Sequence, residues 1–289
     1  MASRQERPGD AAGLNVRRLS PALGAEMRGV DLDRPLDDAV FARIHAAWLE
    51  HLVLVFPGQT LSERRQVEFA ERLGTPVGQR SKERSDARTD SDMRVMLISN
   101  IRENGEPIGL LPDGELMFHT DSVYLERPLK GAMLYAEEIP SRGGNTLFVN
   151  MHMAYDALSP GMKALLEGLR AVHVFDYETQ VKTGRLDRSG ARNHVHPVVR
   201  THPETGRRAL YVNRLMTEEI VGMPEAESDA LLGELFDHAE RPEFIYSHTW
   251  RVGDLVLWDN RCTMHARTDF PANERRLMRR VGLEGDVPF

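Results

Sequence analysis

The strongest constraint on the fold is a series of short apolar runs in the middle and late parts of the chain. Each run has the length of a β-strand, and turn residues or polar excursions separate it from the next run. The sequence lacks the regular alternation of strands and helices that indicates a doubly wound parallel sheet. We therefore predict a mainly β fold, a sandwich or barrel with flanking helices. The predicted strands are the run at 51–59, which Pro57-Gly58 stops, and residues 95–99, 131–138, 145–151, 209–214 and 254–260. The continuous apolar run at 254–260 predicts a strand buried on both faces. The two glycines before Asn145 predict a tight turn, because glycine permits a positive φ.

Helical spacing is found at four places between these runs. Residues 38–50 place apolar side chains on one face, and a second helix is predicted between a cap at Ser62 and an end at Gly74. Ser159 followed by Pro160 is typical of a helix start. A fourth helix is predicted over residues 224–240.

Composition limits the classes of partner and compartment. The chain has 289 residues, and no linker divides it. Its net charge of −7 disfavours nucleic acids and anionic membranes as partners. The single cysteine, Cys262, excludes an intramolecular disulfide and a cysteine-rich metal cluster. The N-terminal residues are polar, unlike a secretory signal, and no apolar run approaches the ~20 residues that span a bilayer. We therefore expect a cytoplasmic protein.

Two residues with metal-binding side chains, His119 and Asp121, stand in an otherwise apolar run at 115–128. Side chains at positions i and i+2 of a strand share a face, so this pair would aim an imidazole and a carboxylate at one point. A third ligand is needed, and His265, which follows the predicted strand at 254–260, is the best candidate. Two histidines and one carboxylate form the facial triad of non-haem Fe(II) oxygenases.

A second group of histidines supports a different prediction. His194 and His196 are also two residues apart, and His202 lies nearby. Three histidines can hold zinc and activate water, which would make the protein a metal-dependent hydrolase. Spacing alone leaves both sites open, because eleven histidines give many chance pairs.

Longer motifs occur in a characteristic order from about residue 15 to the C-terminus. They are GAEMRGVDLDRPL, LVFPGQTLS, FHTDSVY, PSRGGNTLFVNM, HPVVRTHPETGRRALYVN, RPEFIYSHTWRVGDLVLWDNRCTMHA and RRLMRR. In these motifs the chain resembles the TauD/TfdA family of Fe(II)/2-oxoglutarate-dependent dioxygenases. The resemblance implies a double-stranded β-helix, or jelly-roll, core. It also implies a single dioxygenase domain over residues 15–289, after a flexible segment at 1–14.

The resemblance implies roles for the metal and cosubstrate residues. His119, Asp121 and His265 match the iron ligands of the family. Thr146 matches the threonine that binds one carboxylate of 2-oxoglutarate, and Arg276 matches the arginine that binds the far carboxylate. An arginine suits that task because its planar fork meets a carboxylate through two hydrogen bonds. The implied cofactor is Fe(II), with 2-oxoglutarate and O2 as cosubstrates.

Four arginines near the C-terminus divide into two pairs. Arg280 matches an arginine that binds the anionic group of the substrate in several family members. In a strand, Arg276 and Arg280 would share a face. Arg275 and Arg279 would point the other way, and we expect them to be solvated charges.

Two polar segments are predicted to be long loops that cover the site, at residues 79–94 and 176–195. Lys82, in the first loop, is a candidate for a second positive charge in the substrate site. A loose alignment places Gln79 and Lys82 where taurine-specific members carry a histidine and a tyrosine, which argues against taurine as the substrate.

The function implied by the resemblance is hydroxylation of a C–H bond in a small organic anion, such as a carboxylate, sulfonate or sulfate ester. The reaction is coupled to decarboxylation of 2-oxoglutarate to succinate and CO2. Because family members often form dimers or tetramers, we expect a homo-oligomer. Two alternatives are the hydrolase built on the second histidine group and a non-catalytic binding protein on the same fold.

Overall fold

A computed structural model describes residues 13–77, 93–110, 114–175, 181–182, 184 and 190–289. The described strands are β1 Asn15–Arg18, β2 Ala25–Arg28, β3 Val53–Phe56, β4 Pro76–Val77, β5 Met96–Ser99, β6 Arg102–Glu103, β7 Glu106–Pro107, β8 Leu116–His119, β9 Gly131–Glu138, β10 Thr146–Asn150, β11 Arg170–Phe175, β12 Arg192–Pro197, β13 Val199–Thr201, β14 Arg208–Leu210, β15 Thr217–Ile220, β16 Ile245–His248, β17 Leu255–Asp259, β18 Thr263–Arg267 and β19 Leu277–Leu283.

Helices α2, α3 and α4 begin where a short polar side chain caps them. Ser62 Oγ accepts a hydrogen bond from Arg65 N, and Ser159 Oγ accepts one from Met162 N, as the sequence predicts. Within the described part of the chain, no helix is both long enough and apolar enough to cross a bilayer. The helices are α1 Asp38–His51, α2 Glu63–Leu73, α3 Met151–Asp156, α4 Pro160–Leu166 and α5 Glu225–Ala239, with a short 3₁₀ helix at Pro242–Phe244.

Two sheets enclose the main core. The larger has the order β1-β2-β3-β17-β9-β19-β4, with β5 also paired to β19, and the smaller has the order β16-β10-β18-β8. Phe148 and Met264 of the smaller sheet belong to the same buried cluster as Val256, Trp258 and Met278 of the larger sheet. This two-sheet packing confirms the predicted jelly-roll core.

Strand β17 is buried on both faces, as its continuous apolar run predicts. Val256 and Trp258 point into the core between the sheets, whereas Leu255 and Leu257 pack in a second cluster beneath α1 and α2. Trp48 of α1 and Phe69 of α2 belong to that outer cluster. The helices therefore cover the outer face of the larger sheet and leave its inner face for the core and the cavity.

Two predicted boundaries are wrong. The loop expected over 176–195 contains the first residues of β12, which pairs with β11 along its whole length. It is an edge strand in which only His196 is buried, so it shows no apolar alternation. The strand predicted at 209–214 ends at Leu210, because the Asn213 side chain accepts from Met216 N and closes a turn. Most of the loop predicted at 79–94, including Gln79 and Lys82, lies outside the described residues.

The turn that precedes β10 depends on two glycines. Gly143 and Gly144 have φ angles of +70° and +64°, as the sequence pattern predicts. The Gly144 N–H donates to the Asp269 carbonyl at 3.1 Å, and a Cβ on Gly143 would lie only 2.2 Å from the same oxygen. The approach fixes where β10 begins, at Thr146.

Replacing Gly143 with alanine is expected to lower the free energy of unfolding by about 3 kcal/mol, because a steric clash adds to the cost of the left-handed backbone. Gly105→Ala is the matched control, since Gly105 has a φ of +86° but open space around its Cβ position. The control should lose only about 1 kcal/mol. Urea unfolding measures both losses, and equal values would show that the contact with Asp269 does not fix this turn.

Candidate active site

The two candidate histidine ligands are brought together by strand pairing. His119 ends β8, and His265 lies in β18 directly opposite it in the antiparallel register. Their ring centroids are 4.2 Å apart. Both rings thus lie side by side at the inner surface of the smaller sheet, as the sequence predicts.

Asp121 follows just beyond the end of β8 and is held by Asn260. The Asn260 side chain accepts from Asp121 N at 2.9 Å and donates to the Asp121 carbonyl at 3.0 Å. Asn260 is fully buried immediately after β17. No local sequence pattern predicts this role, because Asp121 and Asn260 are 139 positions apart.

The three candidate ligand groups converge on one point. His119 Nε2 lies 3.9 Å from Asp121 Oδ1, and His265 Nε2 lies 4.0 Å from Asp121 Oδ2. All three ligand atoms lie within 4.8 Å of one another. His119 Nδ1 contacts the Met117 carbonyl at 2.9 Å, so Nδ1 carries the proton and the Nε2 lone pair faces the site.

Burial and neighbouring charges keep each of the three candidate ligands in the protonation state that binds a metal. Burial lowers the pKa of His119, and burial together with His119 and Arg280 lowers the pKa of His265 to about 3. Burial alone would raise the pKa of Asp121, but Arg280 and the two histidines hold it well below its usual range. Near neutral pH the site therefore presents two neutral imidazoles and one carboxylate.

The four arginines near the C-terminus divide as predicted in direction but not in environment. Arg276 and Arg280 both face the cavity. Arg275 is exposed and pairs with Glu138 at 2.7 Å.

The expectation of a solvated Arg279 is wrong, because its side chain is buried beneath the helices on the outer face of the sheet. It stacks on Tyr135 at 4.5 Å and pairs with Glu137 at 3.0 Å.

A cavity of about 160 Å³ joins these groups. Its polar lining consists of the three candidate ligands, Thr146, Arg280, Arg276 and Arg267. Arg267 was missed in the sequence, although its position two residues after His265 on the same strand places it on the same face. The apolar lining residues are Ile98, Leu110, Leu116, Leu134, Trp258 and Ala266.

The Arg276 guanidinium is buried, and part of it lacks hydrogen-bond partners. Among the described residues, its Nε and Nη1 atoms have no hydrogen-bond partner, and its side chain is 2% exposed. Burial, with a contribution from Arg267, lowers the pKa of Arg276 to about 9, which reflects the cost of this bare charge. A carboxylate would satisfy the guanidinium. The donor set therefore fits a metal and a carboxylate ligand together.

Arg280 is paired in this structure. Its Nη2 donates to Asp121 Oδ2 at 2.7 Å, so it neutralises the candidate metal ligand from the side of the cavity. The same guanidinium remains partly exposed to the cavity, where it can meet an anion.

The alternative zinc group does not assemble. His196 Nε2 contacts the Leu125 carbonyl at 2.9 Å, whereas His202 Nε2 contacts Asp259 Oδ2 at 3.0 Å. His202 Nδ1 accepts from Glu204 N, so neither ring nitrogen of His202 has a lone pair for a metal. Among the described residues, the groups of three ligand atoms within 4.8 Å do not include His194 with His196 and His202. The hydrolase prediction is wrong for this group.

Comparisons with known proteins agree with this geometry. A family model described as "Taurine catabolism dioxygenase TauD, TfdA family" matches residues 15–281. The (S)-phenoxypropionate/alpha-ketoglutarate-dioxygenase of Sphingobium herbicidovorans is 38% identical over 94% of this chain and 95% of its own length. The alpha-ketoglutarate-dependent 2,4-dichlorophenoxyacetate dioxygenase of Cupriavidus pinatubonensis is 36% identical over 93% and 97%.

Solved structures show the same fold. A taurine dioxygenase from Burkholderia xenovorans has a TM-score of 0.79 and 36% identity, over 96% of this chain and 92% of that chain. A structure of AAD-2 in complex with Mn(II) and N-oxalylglycine has a TM-score of 0.79 and 30% identity, over 95% and 98%. This chain belongs to the TauD, TfdA dioxygenase family. It is an oxidoreductase of the alpha-ketoglutarate (2-oxoglutarate)-dependent class, which excludes a purely non-catalytic binding protein.

Replacing Arg276 with methionine is expected to stabilise the ligand-free protein by about 1–2 kcal/mol, because it removes an uncompensated buried charge at similar volume. Added 2-oxoglutarate should raise the melting temperature of the parent protein but not that of the variant. Thermal unfolding with and without 2-oxoglutarate measures both effects.

Arg279→Met is the matched control, because Arg279 is equally buried but ion-paired with Glu137. We expect it to lose about 3–5 kcal/mol. A comparable loss in Arg276→Met would contradict the assignment of Arg276 as a cation kept for a ligand.

Proposed function

We propose that the protein binds Fe(II) through His119, Asp121 and His265, and 2-oxoglutarate through Arg276 and Thr146, and hydroxylates a small organic anion. The observation that carries this proposal is the cavity that joins three converging ligand atoms to a buried guanidinium, two nitrogens of which have no hydrogen-bond partner in the described part of the chain. Hydrolytic zinc chemistry would account for the three metal ligands, but it would not explain why a buried arginine, Arg276, faces the same cavity.

The cosubstrate assignment follows from charge and shape. A dicarboxylate such as 2-oxoglutarate can place one carboxylate on the Arg276 fork while its other end reaches the metal ligands. The structure of AAD-2, a related protein, holds Mn(II) and N-oxalylglycine, a close isostere of 2-oxoglutarate. Once bound, iron and 2-oxoglutarate would supply the activation of O2, coupled to release of succinate and CO2.

The protein's own contribution is to orient and to exclude water. His119 and His265 are held neutral by burial, so their Nε2 lone pairs are available without a proton leaving first. Asp121 supplies the negative charge, and its backbone is fixed by Asn260. The apolar lining, which includes Leu134 and Trp258, keeps the reacting carbon in a dry site.

The substrate class follows from Arg280 and the apolar lining. Arg280 favours an anion close to the metal ligands, such as a carboxylate, sulfonate or sulfate ester. Ile98, Leu110 and Leu116 favour an apolar body on that anion. The named relatives act on phenoxypropionate, 2,4-dichlorophenoxyacetate and, in the alkylsulfatase of Acinetobacter baylyi at 32% identity, alkyl sulfates. We place aryloxyalkanoates first. The role of Lys82 as a second substrate cation stays a prediction.

Three broader expectations from the sequence also stay predictions. They are the single domain over residues 15–289, a homo-oligomeric state of two or four chains, and a cytoplasmic location. Light scattering of the purified protein measures the number of chains.

Incubation with Fe(II), O2 and 2-oxoglutarate is expected to yield succinate in step with oxidation of an aryloxyalkanoate. In Arg280→Gln, the KM for this acid should rise about 30-fold or more, because truncating one member of a buried charge pair costs 2–5 kcal/mol. Succinate and product are measured by chromatography.

Two comparisons make the outcome specific. The neutral amide of the same acid should be a poor substrate for both proteins, so the variant should lose its preference for the acid. Arg275→Gln, which alters an exposed pair with Glu138, should leave the KM unchanged. Equal losses for acid and amide would show that Arg280 serves only Asp121. Absence of succinate with every carboxylate, sulfonate and sulfate ester would contradict the proposed reaction.

A further inference from the structure

The hydroxyl group of Thr146 has a defined hydrogen-bond polarity. Trp250 Nε1–H donates to Thr146 Oγ1 at 3.0 Å, and both side chains are buried. An indole nitrogen can only donate, so the Thr146 oxygen is the acceptor in this bond. No other partner of this oxygen is found in the described part of the chain. The hydroxyl hydrogen is therefore left to donate elsewhere.

The remaining direction for that hydrogen is the cavity. Thr146 lines the same cavity as Arg276. The chain that leads into β10 passes close to the guanidinium, because a Cβ on Gly144 would lie 3.7 Å from Arg276 Nε. A carboxylate bound by the Arg276 guanidinium would therefore also be placed to accept a hydrogen bond from the Thr146 hydroxyl.

Trp250 is rigidly placed for this task. It follows β16, in which His248 pairs across the sheet with Thr146. Its ring meets the His248 ring edge-on, with centroids 4.7 Å apart and planes at 87°. The loop beyond it is closed by a hydrogen bond from Arg251 N to Asp254 Oδ2 at 3.0 Å. The indole N–H thus has little freedom to leave the Thr146 oxygen.

We propose that Trp250 is a positioning residue for the cosubstrate. Its indole N–H occupies a lone pair of Thr146 Oγ1 and so directs the threonine hydrogen at a carboxylate of 2-oxoglutarate. The inference rests on the proposed function, because it needs 2-oxoglutarate in this cavity. It assigns the site a preference for an ionised carboxylate, which only accepts hydrogen bonds, over an ammonium group, which only donates them.

A double-mutant cycle with Trp250→Phe and Thr146→Val tests the proposal. The readout is the dissociation constant of 2-oxoglutarate, followed without O2 by the visible charge-transfer band of its Fe(II) chelate. Trp250→Phe alone should weaken binding about tenfold, which is the effect of one hydrogen bond to a charged group. In the Thr146→Val background the same change should weaken binding less than twofold, because the hydroxyl that Trp250 orients is already missing.

Trp48→Phe is the matched control. Trp48 is also buried, but its Nε1 has no hydrogen-bond partner among the described residues, and it lies in the outer cluster beneath α1. It should leave the dissociation constant unchanged. If Trp250→Phe does not fold, benzothienylalanine at position 250 keeps the shape of the indole and replaces its N–H with sulfur.

The outcomes separate the two proposals. A band in the parent protein with a full tenfold loss in both backgrounds would overturn the role of Trp250 and leave the proposed function standing. No band in the parent at any concentration of 2-oxoglutarate would overturn the proposed function, and the role of Trp250 with it.

Discussion

The free-energy cost of burying the Arg276 guanidinium, which has no anionic partner among the described residues, is the constraint that most directly indicates an anionic ligand in this site. Arg276 immediately precedes β19, which lies between β9 and the edge of the larger sheet, and two of its side-chain nitrogens are unsatisfied among the described residues. Such a charge destabilises a fold unless a ligand compensates it. The nearby Arg279, equally buried, shows how the same sheet treats a structural cation, since it has Glu137 as its partner.

The rest of the cavity complements that charge. Pairing of β8 with β18 brings His119 and His265 together, and Asn260 fixes the chain at Asp121. Burial keeps both imidazoles neutral, so the cations of the site lie on the arginines and not on the ligands. The cavity is lined by arginines, by apolar side chains and by three candidate metal ligands. It is therefore suited to hold an anionic cosubstrate and an anionic substrate around one metal.

Local patterns predicted much of this structure. The caps at Ser62 and Ser159, the glycine turn before β10 and the doubly buried β17 depend on short stretches of sequence, and all are found. The features that were missed depend on which elements pack together. Arg279 is buried because α2 covers its sheet, and β12 is a strand because β11 lies beside it. The contact between Trp250 and Thr146 joins residues 104 positions apart, which no local pattern reveals.

The most direct test of the account is an anaerobic crystal structure with Fe(II) and 2-oxoglutarate, in which anomalous scattering at the iron edge locates the metal. The expected result is iron bound by His119, Asp121 and His265, with a carboxylate of 2-oxoglutarate on the Arg276 guanidinium. Iron at another group, such as His202 with Asp259 and Cys262, or an Arg276 that contacts no carboxylate, would contradict it.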